Sequence, residues 1–169
     1  MLKFVSLLRH SNSKGHGVLE MPSGTGKTVS ILSLIVAYMK AYPEAVEKFV
    51  YCSRTVPELE KVMEEMKVLD KYYANETGAS GCGLLAVALS ARKNLCIEPS
   101  VRKSGDGAAV DSNCRKLTAS FVRRKRLDDS SIPSCNFYEG FDLNGREEIL
   151  PTGIYNLVCT FLFFILFSE

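Results

Sequence analysis

The segment MPSGTGKT, at residues 21–28, constrains this chain more than any other feature of its sequence. It combines glycines, a lysine and a hydroxyl in the order that holds a nucleoside triphosphate. Val18 and Leu19 precede it and the apolar run 29–37 follows, so a strand at about 16–21, a loop and a helix are predicted. Backbone N–H groups in such a loop bind phosphate oxygens, and the helix N-terminus adds partial positive charge. The sequence therefore predicts a nucleotide-binding loop.

Each residue of this loop has an expected role. Lys27 is predicted to reach the outer phosphates and Thr28 to offer its hydroxyl to Mg²⁺, so these two are the predicted catalytic residues. The predicted nucleotide-binding set is Met21, Pro22, Ser23, Gly24, Thr25, Gly26, Lys27 and Thr28. Met21 stands where the strict pattern GxxxxGK[ST] has a glycine. The alternative interpretation is an ordinary Gly/Ser turn followed by an amphipathic helix.

Composition bounds the class of protein. The chain has 169 residues, of which 46% are hydrophobic and 24% charged, as in an ordinary globular protein. A formal net charge of +2 gives no global electrostatic argument for nucleic-acid binding, so such an argument has to be local. The first ten residues do not match a cleavable signal peptide. We therefore expect the six cysteines to be reduced thiols or metal ligands.

Hydrophobic periodicity after the loop alternates between helix and strand. It predicts a helix that ends near Tyr42, a buried parallel strand at 49–52 and a further strand at 84–89. Thr55 and Glu58 fit a capping box that opens a second helix. One face of this helix is predicted to face the core through Leu59, Val62, Met66, Leu69 and Tyr73. The order predicts an α/β fold with a parallel sheet and right-handed crossovers.

From about Ser90 the chain has fewer apolar residues and regularly spread cysteines. Cys96, Cys114 and Cys135 are separated by 17 and 20 residues, and no CxxC pair occurs, which argues against a zinc finger. Thiolates from distant loops could hold an iron–sulfur cluster. The alternative is that these cysteines are buried as small hydrophobic residues, an interpretation that fits Cys52 in its apolar run.

Five segments, in this order, resemble one family. That family is the XPD-type DNA repair helicases, the iron–sulfur superfamily 2 enzymes that form a subunit of transcription factor IIH. The resemblance extends over residues 14–157. The segments are KGHGVLEMPSGTGKTVS at 14–30, YCSRTVPELEKVMEEM at 51–66, LSARKNLCIEP at 89–99, CRKLTASFVR at 114–123 and CNFYEGFD at 135–142.

The resemblance implies a domain organisation. Residues 1–13 are expected to be a divergent N-terminus and 14–89 a partial RecA-like helicase domain 1, a P-loop parallel sheet with motifs I and Ia. Residues 90–157 are expected to form an incomplete, mainly helical iron–sulfur insertion. Residues 158–169 form an apolar tail unrelated to the family, either a buried terminal element or a translated intron. The tail's run 157–167 is shorter than the roughly 18 to 20 residues that span a bilayer, so no membrane partner is expected.

The resemblance also implies site residues and cofactors. ATP and Mg²⁺ are expected at residues 21–28, and a 4Fe–4S cluster at Cys96, Cys114 and Cys135, with the fourth ligand missing from this chain. The implied DNA-binding residues are Arg54 and Thr55 in motif Ia and Arg92 and Lys93 before the first cysteine. For the basic run 123–126, contact with DNA and a solvated helix face are both open interpretations.

The family's activity is ATP-dependent 5′ to 3′ DNA unwinding in nucleotide excision repair and transcription initiation. Its implied partners are DNA and other transcription factor IIH subunits, and its implied location is the nucleus. This sequence lacks an Asp-Glu pair at the end of an apolar strand and lacks tryptophan. Hydrolysis needs a carboxylate on Mg²⁺ and a group that orients water, so we expect the chain to bind nucleotide at most. The alternatives are a non-catalytic binding module or a small P-loop kinase.

Overall fold

The computed structural model describes residue 6 and residues 17–18, 20–22, 24–103 and 105–160. These residues form a mixed α/β structure that is mostly helical and contains a small parallel sheet. They divide into two compact units. The first unit combines the residues up to Cys52 with Val68–Cys82, and the second combines Ser53–Lys67 with the residues from Gly83 onward.

Helix α1, Lys27–Ala41, confirms the helix predicted after the loop. Its N-cap is Gly26, in the left-handed conformation with φ 71°, which glycine adopts without steric cost. The helix ends at Ala41, two residues before Pro43, and the N–H of the C-cap residue Tyr42 donates to the carbonyl of Tyr38 at 2.9 Å. Its buried face consists of Leu32, Ile35, Val36 and Tyr38.

Helix α2, Val56–Thr77, begins at the predicted capping box. The N–H of Glu58 donates to Thr55 Oγ1 at 3.4 Å, and Glu58 Oε2 accepts from the N–H of Arg54 at 3.2 Å. The Glu58 carboxylate thus reaches one residue further back than a standard capping box requires. The predicted core-facing stripe is confirmed, since all five of its residues are buried or half-buried.

Asp70, late in α2, fixes the loop that follows this helix. Its carboxylate accepts from the N–H of Cys82 at 2.6 Å. Gly81 has φ 113°, and a Cβ atom there would lie 2.5 Å from the Asp70 carboxylate. Both the backbone conformation and the close approach therefore require glycine. Cys82 itself, for which sequence patterns indicate no role, is buried.

The sheet consists of β1, Leu85–Val87, paired in parallel with β2, Gly153–Tyr155. Leu85 is in register with Gly153 and Val87 with Tyr155. Strand β1 confirms the run predicted at 84–89, although it is shorter. Residues 88–152 connect the two neighbouring strands, so everything between them forms one long crossover.

Two of the three predicted strands are wrong. The described residues at 17–18 and 20–22 form no strand, and Val18 is 96% exposed. Residues 49–52 form no strand either, Val50 is 72% exposed, and Cys52 is exposed rather than buried. A strand persists only when a neighbour pairs with its backbone groups. Within the described part of the chain, β1 and β2 are the only strands that have such a neighbour.

Five short helices and one π-helical turn occupy the crossover. The helices are α3 Arg92–Leu95, α4 Pro99–Arg102, α5 Gly107–Thr118, α6 Ser120–Asp128 and α7 Asn136–Gly140. The π-helical turn, Phe141–Gly145, continues directly from α7. This mainly helical character agrees with the expectation for the region after Ser90.

A small core in the second unit lies between α2 and the sheet. It contains the buried residues Met63, Ala88 and Leu157. Two polar contacts hold the C-terminal residues against this core. The N–H of Leu157 donates to Glu60 Oε1 at 3.1 Å, and Thr160 Oγ1 donates to the carbonyl of Ala88 at 3.2 Å.

The apolar tail expected at 158–169 lies mostly outside the described residues. Residues 157–160 are helical, with Thr160 buried and Val158 63% exposed. In the part of the chain that the structure describes, no helix is long and apolar enough to cross a membrane.

Candidate functional site

The predicted nucleotide loop has a left-handed backbone at both glycines. Gly24 has φ 77° and Gly26 has φ 71°, and in the part of the chain that the structure describes a Cβ atom at either position would meet nothing within 4 Å. Glycine is therefore required by the backbone conformation rather than by crowding. The predicted loop residue Ser23 lies outside the described residues, so its role stays a prediction.

Lys27 is the first residue of α1, and its ammonium group folds back onto the loop. Nζ donates to the carbonyl oxygens of Met21 and Pro22, each at 2.9 Å. Thr25 Oγ1 donates to the same Pro22 carbonyl at 2.8 Å. The lysine and the threonine thus close the loop through its own carbonyl groups. An incoming anion would compete with these carbonyls for the lysine.

The N-terminus of α1 is open toward solvent. Its Gly26 N-cap has no side chain to bond the first helical N–H groups, and Thr28 is half-buried in the first turn. Unpaired N–H groups at the start of a 15-residue helix carry partial positive charge. The loop therefore presents backbone donors, one ammonium group and one hydroxyl on a single helix end, which is the chemistry that binds phosphate.

The predicted DNA-binding residues of motif Ia lie at the N-terminus of α2. Arg54 and Thr55 are both exposed. The Thr55 hydroxyl accepts the N–H of Glu58 as the helix cap, and the Arg54 N–H is bound by the Glu58 carboxylate. Arg54 is exposed and its side chain is not used in these contacts, whereas the Thr55 hydroxyl caps α2.

The three predicted metal-ligating cysteines line one cavity of about 720 Å³ in the second unit. Cys96 follows α3, Cys114 lies within α5, and Cys135 is the N-cap of α7. The other lining residues that matter here are the aromatic side chains Phe121, Phe137, Tyr138 and Phe141. The structure thus brings together thiols that are far apart in sequence, within a mostly apolar wall.

Burial raises the pKa values of the Cys96 and Cys135 thiols above 9.0, because an apolar environment disfavours the thiolate. Cys135 is 9% exposed and Cys96 is half-buried. Because the thiolate is the nucleophilic form, burial lowers the reactivity of both thiols. The alternative of buried free cysteines describes Cys135 better than Cys96 or Cys114, which are both half-buried.

Among the described residues, no three His, Cys, Asp or Glu side chains are close enough to share a single metal ion. Thiols that are spaced around a cavity suit an iron–sulfur cluster better than a single ion, because a cluster contains several irons and is held by cysteine thiolates. The three cysteines line one cavity and carry the sulfur atoms that an iron–sulfur cluster requires as ligands.

The basic residues near the cavity are mostly paired with carboxylates. Arg92 Nη1 lies 2.6 Å from Asp111 Oδ1, a contact that joins α3 to α5, raises the pKa of Arg92 and lowers that of Asp111. Lys93, the other residue predicted to contact DNA here, is exposed beside Gly107. Arg92 therefore joins α3 to α5. This structural role is separate from the predicted contact with DNA.

The basic run 123–126 is divided between two environments. Arg123 pairs with Asp142 and, at 3.0 Å, with Glu139, whereas Arg126 pairs with Glu139 at 2.7 Å. Arg124 and Lys125 are exposed. Neither of the two sequence interpretations describes Arg123 and Arg126, whose side chains are only 33% and 17% exposed. Their partners Glu139 and Asp142 belong to the segment CNFYEGFD, but its spacing alone does not indicate which arginines they meet.

Most of this chain is similar in sequence to known proteins. The family model described as DEAD_2 matches residues 51–158. The chain is 44% identical over 151 residues to the general transcription and DNA repair factor IIH helicase subunit XPD of Schizosaccharomyces pombe, covering 89% of this chain and 19% of that protein. It is 42% identical over 153 residues to the protein of the same name from Arabidopsis thaliana, covering 90% and 20%.

A more distant relative is the regulator of telomere elongation helicase 1 of Mus musculus. It is 25% identical over 183 aligned residues, which cover 85% of this chain and 13% of that protein. The chain thus spans about a fifth of the length of the XPD subunits that it matches.

Proposed function

Since this chain belongs to the DEAD_2 family, we propose that it is the nucleotide-binding N-terminal segment of an XPD-type, ATP-dependent DNA helicase. The observation that carries the proposal is the start of α1. There, a left-handed glycine, an uncapped helix end and Lys27 coincide in a chain whose relatives are named as helicase subunits.

ATP with Mg²⁺ is the proposed ligand of residues 21–28. Lys27 would leave the carbonyls of Met21 and Pro22 and pair with the outer phosphates, because a phosphate oxygen carries more negative charge than a carbonyl oxygen. Thr28 would bind Mg²⁺ through its hydroxyl group. Hydrolysis of the bound triphosphate would supply the free energy that the whole helicase uses for movement on DNA.

We propose that residues 14–89 belong to a RecA-like domain and residues 90–157 to an iron–sulfur insertion. The position of residues 88–152 between two adjacent parallel strands supports an insertion. Cys96, Cys114 and Cys135 would bind a 4Fe–4S cluster, together with a ligand from outside this chain. The apolar wall of the cavity would keep water from the thiolates.

DNA and other transcription factor IIH subunits are the proposed partners, and the nucleus is the proposed location, because the XPD relatives are named as subunits of that factor. Arg54 and Lys93 are the exposed side chains proposed to contact DNA phosphates. The helicase activity itself, with 5′ to 3′ polarity in excision repair and transcription initiation, is proposed for the whole protein of which this chain represents a fifth.

A titration with a fluorescent ATP analogue and Mg²⁺ tests the proposed ligand. We expect saturable binding, weakened about tenfold or more by Lys27→Ala because a charge-assisted hydrogen bond is lost. Lys48→Ala is the matched control, since Lys48 is an exposed lysine outside the loop. Equal affinity in the Lys27→Ala and Lys48→Ala variants would contradict the proposal.

A further inference from the structure

Arg126, on α6 of the second unit, bonds three acceptors through its two terminal nitrogens, while its buried Nε has no partner among the described residues. Its Nη1 donates to Glu139 Oε1 at 2.7 Å, and its Nη2 donates to the carbonyl oxygens of Leu117 at 2.9 Å and Pro133 at 3.0 Å. The side chain is only 17% exposed. A guanidinium group can serve three acceptors in a fixed plane, whereas an ammonium group on a flexible stem cannot hold them in that plane.

The three acceptors are in segments that carry two of the cavity cysteines. Leu117 follows Cys114 by three residues on α5. Pro133 precedes Cys135 by two residues, and Glu139 follows Cys135 on α7. The N–H of Glu139 also donates to the carbonyl of Cys135 at 3.0 Å. One side chain from α6 thus bonds the chain on both sides of Cys135 and ties it to the helix of Cys114.

Arg123 does not duplicate this arrangement. It pairs with Glu139 and Asp142, both on the C-terminal side of Cys135, and donates to neither Leu117 nor Pro133. If Arg126 is replaced, Glu139 keeps Arg123 as a partner, but the two carbonyl oxygens lose their donor. The backbone before Cys135 is then free to move, while α7 remains anchored.

We infer that Arg126 is a positioning residue that holds the Cys135 thiol in the cavity at a fixed place relative to Cys114. The identity of the group that these thiols bind comes from the proposed function, but the positioning itself does not. Arg126, the last residue of the basic run 123–126, is thus assigned to the thiol site rather than to DNA.

The test compares Arg126→Lys with Arg124→Lys, the same chemical change at an exposed position two residues away. The full chain, free of iron, is pulse-labelled with iodoacetamide, and the labelling of each cysteine is measured by peptide mass spectrometry. We expect Cys135 to be labelled about tenfold faster in Arg126→Lys, because bonds to a charged donor are lost. Cys82, which is buried in the first unit, and Arg124→Lys should be unchanged.

Two results would overturn the inference. One is equal labelling of Cys135 in the two variants, and the other is a parallel rise at Cys82 and Cys135, which indicates general loosening. If Arg126→Lys does not fold, Glu139→Gln is compared with Asp142→Asn, because Glu139 pairs with both Arg126 and Arg123 whereas Asp142 pairs with Arg123 and not with Arg126. Cys135 should be labelled faster in Glu139→Gln than in Asp142→Asn, and equal rates in these two variants would refute the inference.

A second readout separates positioning from stability. After anaerobic incubation with ferrous iron and sulfide, we expect wild type and Arg124→Lys to develop more brown visible absorption than Arg126→Lys at equal concentrations of folded protein. Equal absorption in all three would count against positioning. Neither measurement uses nucleotide, so a failure of ATP binding would leave this inference intact, and its own failure would leave the nucleotide site intact.

Discussion

Gly26 is the residue whose conformation determines how α1 begins. Its φ of 71° is left-handed, and no atom of the described residues lies within 4 Å of an added Cβ, so among these residues a substitution meets backbone strain alone. We expect Gly26→Ala to lower the free energy of unfolding by about 1 to 2 kcal/mol. Asparagine tolerates the left-handed region, so Gly26→Asn should cost less. Urea unfolding measures both, and an equal or larger loss in Gly26→Asn would contradict this explanation.

The carboxyl group of Asp142 makes the free energy of unfolding depend on pH. Its hydrogen bond from Arg123 holds the pKa of the carboxyl group below 3.8. A lowered pKa in the folded state adds stability above 3.8, and this contribution is lost as the pH falls through the folded value. Wild type should therefore exceed Asp142→Asn in unfolding free energy by a constant amount from about pH 5 to 8.

That difference should shrink once the pH falls below 3.8. The matched control is Asp128→Asn, which removes an exposed carboxylate at the end of α6. Urea unfolding at several pH values gives the result. A difference for Asp142→Asn that grows as the pH falls would show that the explanation is wrong.

At the scale of elements, Thr55 shows how a predicted binding residue can also be part of a helix cap. Its hydroxyl accepts the N–H of Glu58 at the start of α2. We expect Thr55→Ala to destabilise the protein by about 1 kcal/mol, while Thr55→Ser keeps most of the stability because it retains the hydroxyl. Thermal or urea unfolding distinguishes the two variants. A serine variant as unstable as the alanine variant would refute the capping role.

The predicted elements succeeded where local interactions decide the structure. Helices α1 and α2 follow from apolar spacing, from Pro43 and from the capping pair Thr55 and Glu58, all of which act within a few residues. The strands at 16–21 and 49–52 failed because a strand depends on a neighbour that local sequence does not specify. Strand β2, within the region assigned to the insertion, was missed for the same reason: Gly153–Tyr155 is too short to give a periodic signal.

The candidate sites also differ in how far local sequence predicts them. The loop at 21–28 is a continuous segment, so its residues are recognisable together. The three cysteines line one cavity because of the way α3, α5 and α7 fold. Their spacing in sequence does not distinguish cluster ligands from buried free cysteines. The ion pair of Arg92 with Asp111 and the contacts of Arg126 depend on which helices meet. Some arginines that the sequence predicts to form a basic surface therefore bind carboxylates that join helices.

For the whole molecule, we predict that the chain binds ATP but does not hydrolyse it. Binding requires the loop and α1, which are present, whereas hydrolysis also requires a carboxylate on Mg²⁺ and a group that orients the attacking water. No Asp-Glu pair occurs anywhere in the 169 residues. Phosphate release by the purified chain, with and without single-stranded DNA, tests the claim most directly. We predict nucleotide binding with no DNA-stimulated release, whereas DNA-stimulated hydrolysis that Lys27→Ala abolishes would contradict it.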